Sequence, residues 1–333
     1  MSIEPLHRCT GDFDPETAAP MFLRLPMHPP DVIEDAAKSA ARMMGRELLV
    51  PMTRTPWEAT PGDRSFVWQL TGTPALVVKV CATGDSTQVR MWNRSLDLAD
   101  RLRPIDGIAV PRVRAAGGKP VPWAVFDCAA GSPALLATVR AEDLFALVLG
   151  IQKTQVSGFH LRSSWDVDTY ARQIIGPLRD LAAAGVISQQ VADRTVEVTK
   201  EHQRTAKALP AVTAHNDLAL YHVFMGDGPT WIIDWESVVR DELRTLDVAH
   251  LMVSHGLARP QWAAELAHIT LDHGRRELGV DLTSNLVLAQ LERAVGKTYD
   301  MLRRRHRQSM PAVDALCAVL NGEFMPTGKV VVP

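Results

Sequence analysis

The sequence predicts an α+β protein of two lobes, a small antiparallel sheet followed by a larger, mostly helical region. Short apolar runs of strand length cluster before residue 127, whereas long segments with apolar residues at helical spacing dominate after residue 141. One strand-like interruption of the second region, residues 211–239, holds an ordered set of His and Asp. The 333 residues suffice for one large or two closely joined domains. The expected division is residues 1–126, comprising an irregular and helical extension over 1–50 and a sheet over 51–126, then a hinge at 127–133 and a helical lobe over 134–333.

Residues 1–29 are rich in Pro and irregular, and Val32, Ala36, Ala40, Met43 and Met44 then mark a helix over 31–44. SFVWQL (65–70) and ALVVKV (75–80) are β-type runs joined by TGTP, a hairpin turn. Val89, Trp92, Leu96, Ala99 and Leu102 predict a helix over 85–102, and two further short strands follow within 107–127. After CAAGSP, amphipathic helices are expected at about 141–156, 168–184, 188–207, 243–257, 260–278 and 284–308. A sheet lobe joined to a helical lobe leaves a cleft, where ligands tend to bind.

Hydrophobic residues make up 46% of the chain, charged residues 22%, and the net charge is -2, so no global charge drives binding to nucleic acid or to an anionic membrane. No apolar run approaches the roughly 18 residues of a membrane helix, and the N-terminal stretch lacks an apolar signal region, so a cytoplasmic location is expected. Cys9, Cys81, Cys128 and Cys317 are far apart, and neither a disulfide nor a Cys metal site is expected.

Lys79 lies inside ALVVKV, either snorkelling from an exposed strand face or pairing with nucleotide phosphates. Just upstream, EATPGDRSFVWQL places Gly62, Asp63 and Ser65 in a turn whose backbone N–H groups could approach a polyanion. PWAVFDCAAGSP leaves the small lobe through Asp127 and Cys128, a place for backbone groups to meet an adenine edge. In AHNDLALYHVF, Asp217 lies between His215 and His222, and TWIID ends on Asp234. Two carboxylates on neighbouring loops, one ending a buried strand, are costly without a cation between them, and the candidate is a metal.

In order and spacing, Lys79 in VVKV, FDCAAGSP, HNDLALYHVF, IIDWE and Asp247 in RTLDVAHL resemble the aminoglycoside phosphotransferase and choline kinase-like family, over about residues 57–310. The resemblance implies a protein-kinase-like fold and transfer of the γ-phosphate of ATP (or GTP), with Mg²⁺ or Mn²⁺, to a hydroxyl of a small molecule or peptide. It implies that Asp217 orients the acceptor hydroxyl and takes its proton, and that Asp234 holds the metal against the β- and γ-phosphates. Lys79 would neutralise the α- and β-phosphates, the turn at Gly62–Ser65 would cover them, and Asp247 would buttress the catalytic loop.

Two positions depart from the family pattern H-G-D-x-x-x-x-N, and a third departure is an absence elsewhere. Asn216 replaces Gly, which a left-handed backbone tolerates. His222 replaces the metal-binding Asn and suits Mn²⁺ better than Mg²⁺. No Glu occurs between Glu58 and Glu142 to face Lys79 from a helix, so Asp97 or Asp100 would have to substitute. Otherwise the chain is a degenerate kinase that binds nucleotide or peptide without turnover. A third reading is a metal-dependent hydrolase of phosphate esters built on Asp217, His222 and Asp234. Acids that could receive a cationic aminosugar are Asp166, Asp168, Asp272, Glu277, Asp281 and Asp300, whereas the basic run MLRRRHRQ (301–308) would favour an anionic or peptide acceptor if it lined the cleft.

Overall fold

The structure, a computed structural model, describes residues 10–11, 27–52, 55–58, 65–103, 107–118, 121–158, 161, 164–303 and 310–326. Gly62 and Asp63, and the basic run beyond Arg303, lie outside the described residues.

The small lobe is built on a five-stranded antiparallel sheet in the order β1-β2-β3-β7-β6, from β1 (Leu48–Pro51), β2 (Ser65–Leu70), β3 (Leu76–Cys81), β6 (Val113–Gly117) and β7 (Trp123–Asp127). Side chains alternate across a strand. Phe66 and Trp68 of β2 and Val78 and Val80 of β3 therefore meet Ile33, Ala37 and Ala40 of helix α1 (Pro30–Met43) in one buried cluster. Val67, Val77 and Lys79 face the opposite way. Helix α2 (Ser86–Arg101) begins at Asp85, whose Oδ1 accepts the N–H groups of Thr87 and Gln88, both at 3.0 Å. Its Trp92 packs near Cys81 and Ala124 of the small lobe, while Leu98 belongs to the core of the large lobe. One helix thus contacts the large-lobe core and a small cluster on the other face of the sheet.

The large lobe comprises α3 (Ala141–Lys153), α4 (Val167–Ala183), α5 (Gln189–Thr205), α6 (Leu246–His255), α7 (Pro260–His273), α8 (Thr283–Arg303) and α9 (Met310–Leu320). Helix α8 is its axis, packed against α4, α5, α6 and α9 with Leu286, Leu288, Leu291 and Ala294 fully buried. The α9 helix lies outside the sequence-based expectation. So do the short strands β4 (Leu102–Arg103), β5 (Ile108–Ala109), β8 (Ser132–Pro133), β9 (Gln155–Val156) and β10 (Ser164–Trp165), because two-residue strands carry no readable period.

The interrupting segment supplies β11 (Val212–Ala214), β12 (Val223–Met225), β13 (Thr230–Ile232) and β14 (Val239–Asp241). Strands β5-β13-β12-β8 form one sheet, so β5 and the end of the 127–133 connection border the β12–β13 hairpin on either side. Gly131 makes this approach possible. Its φ is +89°, and a Cβ there would lie 2.3 Å from the Met225 carbonyl oxygen.

Cys81 and Cys128 are free, but Cys317 is disulfide-bonded, against the expectation from cysteine spacing. Distance along the chain does not measure approach in space. Among the described residues no helix is long and apolar enough to cross a membrane.

Candidate active site

Two loops leave the ends of β11 and β13 side by side. After β11, Asn216 adopts a left-handed backbone with φ 64°, and its side-chain amide donates to the Ser237 carbonyl at 3.1 Å. The buried Asp247 at the start of α6 accepts the N–H groups of His215 and Asn216, each at 2.9 Å. Burial pushes its carboxyl up to about 6 despite these bonds and the nearby His215. This clamp leaves the Asp217 side chain 40% exposed, open to an acceptor.

The β12–β13 ladder pairs Val223 with Ile232, so the next residues outward, His222 and Ile233, meet, and the Ile233 N–H donates to the His222 carbonyl at 3.0 Å. Asp234 follows at once, also left-handed with φ 62°. Trp235 is buried beneath it, its Nε1–H donated to the Ile232 carbonyl at 2.9 Å and its ring 4.9 Å from that of His215.

Opposite these loops, Lys79 extends from β3 and donates to Asp234 Oδ1 at 2.8 Å and Glu236 Oε1 at 3.4 Å. Burial alone would lower its pKa, but the two carboxylates outweigh burial and hold the ammonium above its ordinary range. Burial likewise pushes Asp234 up, yet Lys79 and His222 prevail and hold it at about 2. Asp97 instead accepts from Arg101 at 2.8 Å, one turn along its own helix. The carboxylate partners of Lys79 come from the loop after β13 and not from α2.

His222 is 3.5 Å from Asp234 Oδ2 through Nε2, and its Nδ1 lies 2.7 Å from the Asp217 carbonyl oxygen. A carbonyl only accepts, so Nδ1 carries the hydrogen, and Nε2 is the ring nitrogen that faces Asp234. One nitrogen and one carboxylate oxygen thus converge as a fitting pair for a divalent cation. Among the described residues, no group of three or more His, Cys, Asp or Glu is gathered to hold a metal unaided. Mg²⁺ in nucleotide sites commonly takes one or two protein ligands, with phosphate oxygens and waters completing its shell.

The polar cluster closes one end of a cavity of about 740 Å³ between the lobes. Val67, Val77, Val110, Phe126, Phe224 and Ile233 give the cavity apolar walls, within the size range of small-ligand sites. Asp127 and Cys128 line it, but the Asp127 carboxylate is held by Arg114 at 2.6 and 3.1 Å. The Cys128 N–H is donated to the Ala75 carbonyl at 3.0 Å. Ser65 opens β2, paired with Cys81.

The candidate acceptor acids are not gathered. Asp166 and Asp281 cap α4 and α8, Asp168 accepts from Gln203 at 3.0 Å, and Asp272 pairs with Arg276 at 2.9 Å. Sequence reasoning missed Arg293, whose Nη2 donates to Asp217 Oδ1 at 2.9 Å from α8, 76 residues away. Its only signal was a cation on an otherwise amphipathic helix.

No protein-family model and no curated protein sequence matches the chain. Solved structures do. A thermostable mutant of the aminoglycoside phosphotransferase APH(4)-Ia, in ternary complex with ADP and hygromycin B, is 13% identical with a TM-score of 0.61, covering 89% of this chain and 100% of that one. The chain has the aminoglycoside phosphotransferase fold. Choline kinase from Cryptosporidium parvum Iowa II shares it, at 11% identity and a TM-score of 0.58, covering 88% of this chain and 94% of that one. So does an APH(2") enzyme solved with GDP and kanamycin, at 13% identity and a TM-score of 0.55, covering 85% of this chain and 97% of that one. The kinase-like fold implied by the motifs is therefore present, and at these identities the likeness is one of fold.

Proposed function

We propose that the protein is a nucleotide-dependent phosphotransferase acting on a hydroxyl acceptor. The observation that carries this reading is the convergence of Lys79, Asp234, His222 and Glu236 at the polar end of the apolar cavity, with Asp217 on the adjoining loop. The apolar walls would take the base. At Cys128 the N–H is already used, so an adenine-edge contact there would fall to its carbonyl. Lys79 would turn from the carboxylates to the α- and β-phosphates. Asp234 and His222 would hold a divalent cation, which neutralises phosphate charge when bound.

In the reaction an acceptor oxygen bonds to the γ-phosphorus while the bond to the β,γ-bridging oxygen breaks, the nucleoside diphosphate leaves with that electron pair, and Asp217 takes the hydroxyl proton. Positioning and charge neutralisation supply most of such catalysis. Glu236 takes the place of the missing helix carboxylate, orienting Lys79 in the free protein.

Thermal-shift titration with ATP and GTP, each with Mg²⁺ and with Mn²⁺, tests the reading, because a ligand of the folded state raises the melting temperature. A metal-dependent rise is expected, and Asp234→Asn should lose it. Asp217→Asn should keep the rise yet lose turnover by on the order of 10²–10⁴-fold. No shift with either nucleotide would overturn the proposal; a shift without turnover of any hydroxyl compound would favour a kinase-like binding protein.

A further inference from the structure

Helix α8 presents two cations beside Asp217 that phosphoryl transfer to a generic hydroxyl does not need. Arg293 reaches the Asp217 carboxylate with Nη2, while its buried Nε has no partner. Lys297 follows one helical turn later, on the same face. It is half-buried and makes no hydrogen bond or ion pair among the described residues. Burial holds its ammonium below the ordinary range and the charge of Arg293 adds to this, with Asp217 opposing. Like charges one turn apart repel, and half-burying a second ammonium without a counterion adds desolvation cost.

The surroundings do not compensate. Helix α6 packs on α8 and contributes His250 and His255, both disfavoured as cations, first by burial and further by nearby positive charges that include Lys297. His255 Nε2 accepts the Leu220 N–H at 3.2 Å, which fixes a neutral ring. Glu292, the neighbour of Arg293, is buried and pushed up to about 7, with Arg293 opposing and Asp241 reinforcing the rise. Arg293 thus holds the Asp217 carboxylate, and Lys297, one turn further along the same face, has no bonded counterion among the described residues. Arg293 has the fork geometry to bridge that carboxylate and a second oxyanion. Four of the acids that would receive an aminosugar are already engaged as caps or partners elsewhere.

We infer that Arg293 and Lys297 form an oxyanion-binding subsite beside Asp217, so that the acceptor carries its hydroxyl next to a carboxylate or phosphate group. This rests on the phosphotransferase reading above. Bound there, the anion would meet the Lys297 ammonium and the guanidinium Arg293 turns toward Asp217, and set the hydroxyl at the released Asp217.

The test saturates the nucleotide site with AMP-PNP and Mg²⁺, then titrates sodium sulfate while following the Arg293 Nε–H resonance, with chloride at matched ionic strength as control. A saturable shift at millimolar sulfate is expected, weakened tenfold or more in Lys297→Gln and partly kept in Lys297→Arg. Alongside, hydroxyl compounds are assayed in sets that differ only in bearing a carboxylate, a phosphate, an amide or an amine. Turnover should be confined to the anionic members, and Lys297→Gln should raise their KM about tenfold or more while moving kcat and the nucleotide KM less. Absence of a saturable sulfate shift, indifference to Lys297→Gln, or turnover of amine-bearing members would overturn the inference. Failure of AMP-PNP to bind would remove the phosphotransferase reading instead, and the sulfate titration on the free protein would still decide whether the subsite exists.

Discussion

Asp247 touches no candidate ligand, yet the position of Asp217 depends on it. Its two oxygens accept from consecutive backbone N–H groups, and no water reaches a residue 2% exposed. Asp247→Asn leaves one acceptor oxygen for two donors, and an unsatisfied buried donor costs about 1–3 kcal/mol. Urea denaturation should show a loss of that size, with turnover falling further because Asn216 and Asp217 are no longer clamped. His222 invites a different experiment. An imidazole ligand favours Mn²⁺ relative to an oxygen ligand, so His222→Asn should shift the Mn²⁺-to-Mg²⁺ activity ratio toward Mg²⁺, and an unchanged ratio would argue that His222 is not a ligand.

At the scale of elements, α6 and α8 place Asp247 and Arg293 against the loop after β11 from well-packed buried faces. Leu291 is fully buried at the middle of α8, and Leu291→Ala should cost about 2–5 kcal/mol in denaturant, the range for leucine truncation in a core. The α6–α8 contact also sets a pH dependence. His255 is held down to about 4 by burial and by Lys297, from an ordinary value of 6.5. Between those values the unfolded chain binds a proton that the folded chain does not, so this group's contribution is lost as pH falls from about 6.5 toward 4. Asp241 and Asp247, raised to about 6 chiefly by burial, act in the opposite direction below that value. The variant comparison isolates the histidine: His255→Asn keeps an acceptor for Leu220, and its melting temperature should fall less than the parent's between pH 7 and pH 5.

Among the described residues, two large buried cores flank the cavity, and α2 packs on the large core and on the cavity-side face of the small-lobe sheet. A nucleotide in that cavity would contact both lobes and oppose their separate opening. AMP-PNP with Mg²⁺ should therefore slow amide exchange in β2 and β3 as well as in the β12–β13 hairpin; protection confined to one lobe would mean that the ligand does not bridge them.

Much of this architecture was readable because each lobe keeps a clean period. The alternation of SFVWQL and ALVVKV predicted the hairpin that presents Lys79, and the helical spacing over about 284–308 predicted α8, found at Thr283–Arg303. The order of His215, Asp217, His222 and Asp234 singled out the segment whose loops the structure sets side by side with Lys79. What the chain order could not disclose was partnership. A helix Asp stood as the expected partner of Lys79, but α2 turns Asp97 to Arg101, and Glu236 stands near the ammonium because the β13 loop folds back beneath the sheet. Arg293 meets Asp217 only because α8 runs alongside α6. Local sequence determined periods, turns and the residue types of the site, since those follow from backbone sterics and the burial of neighbouring side chains. Which charges neutralise one another was decided by tertiary packing, because Coulomb interactions depend on separation in space and on burial.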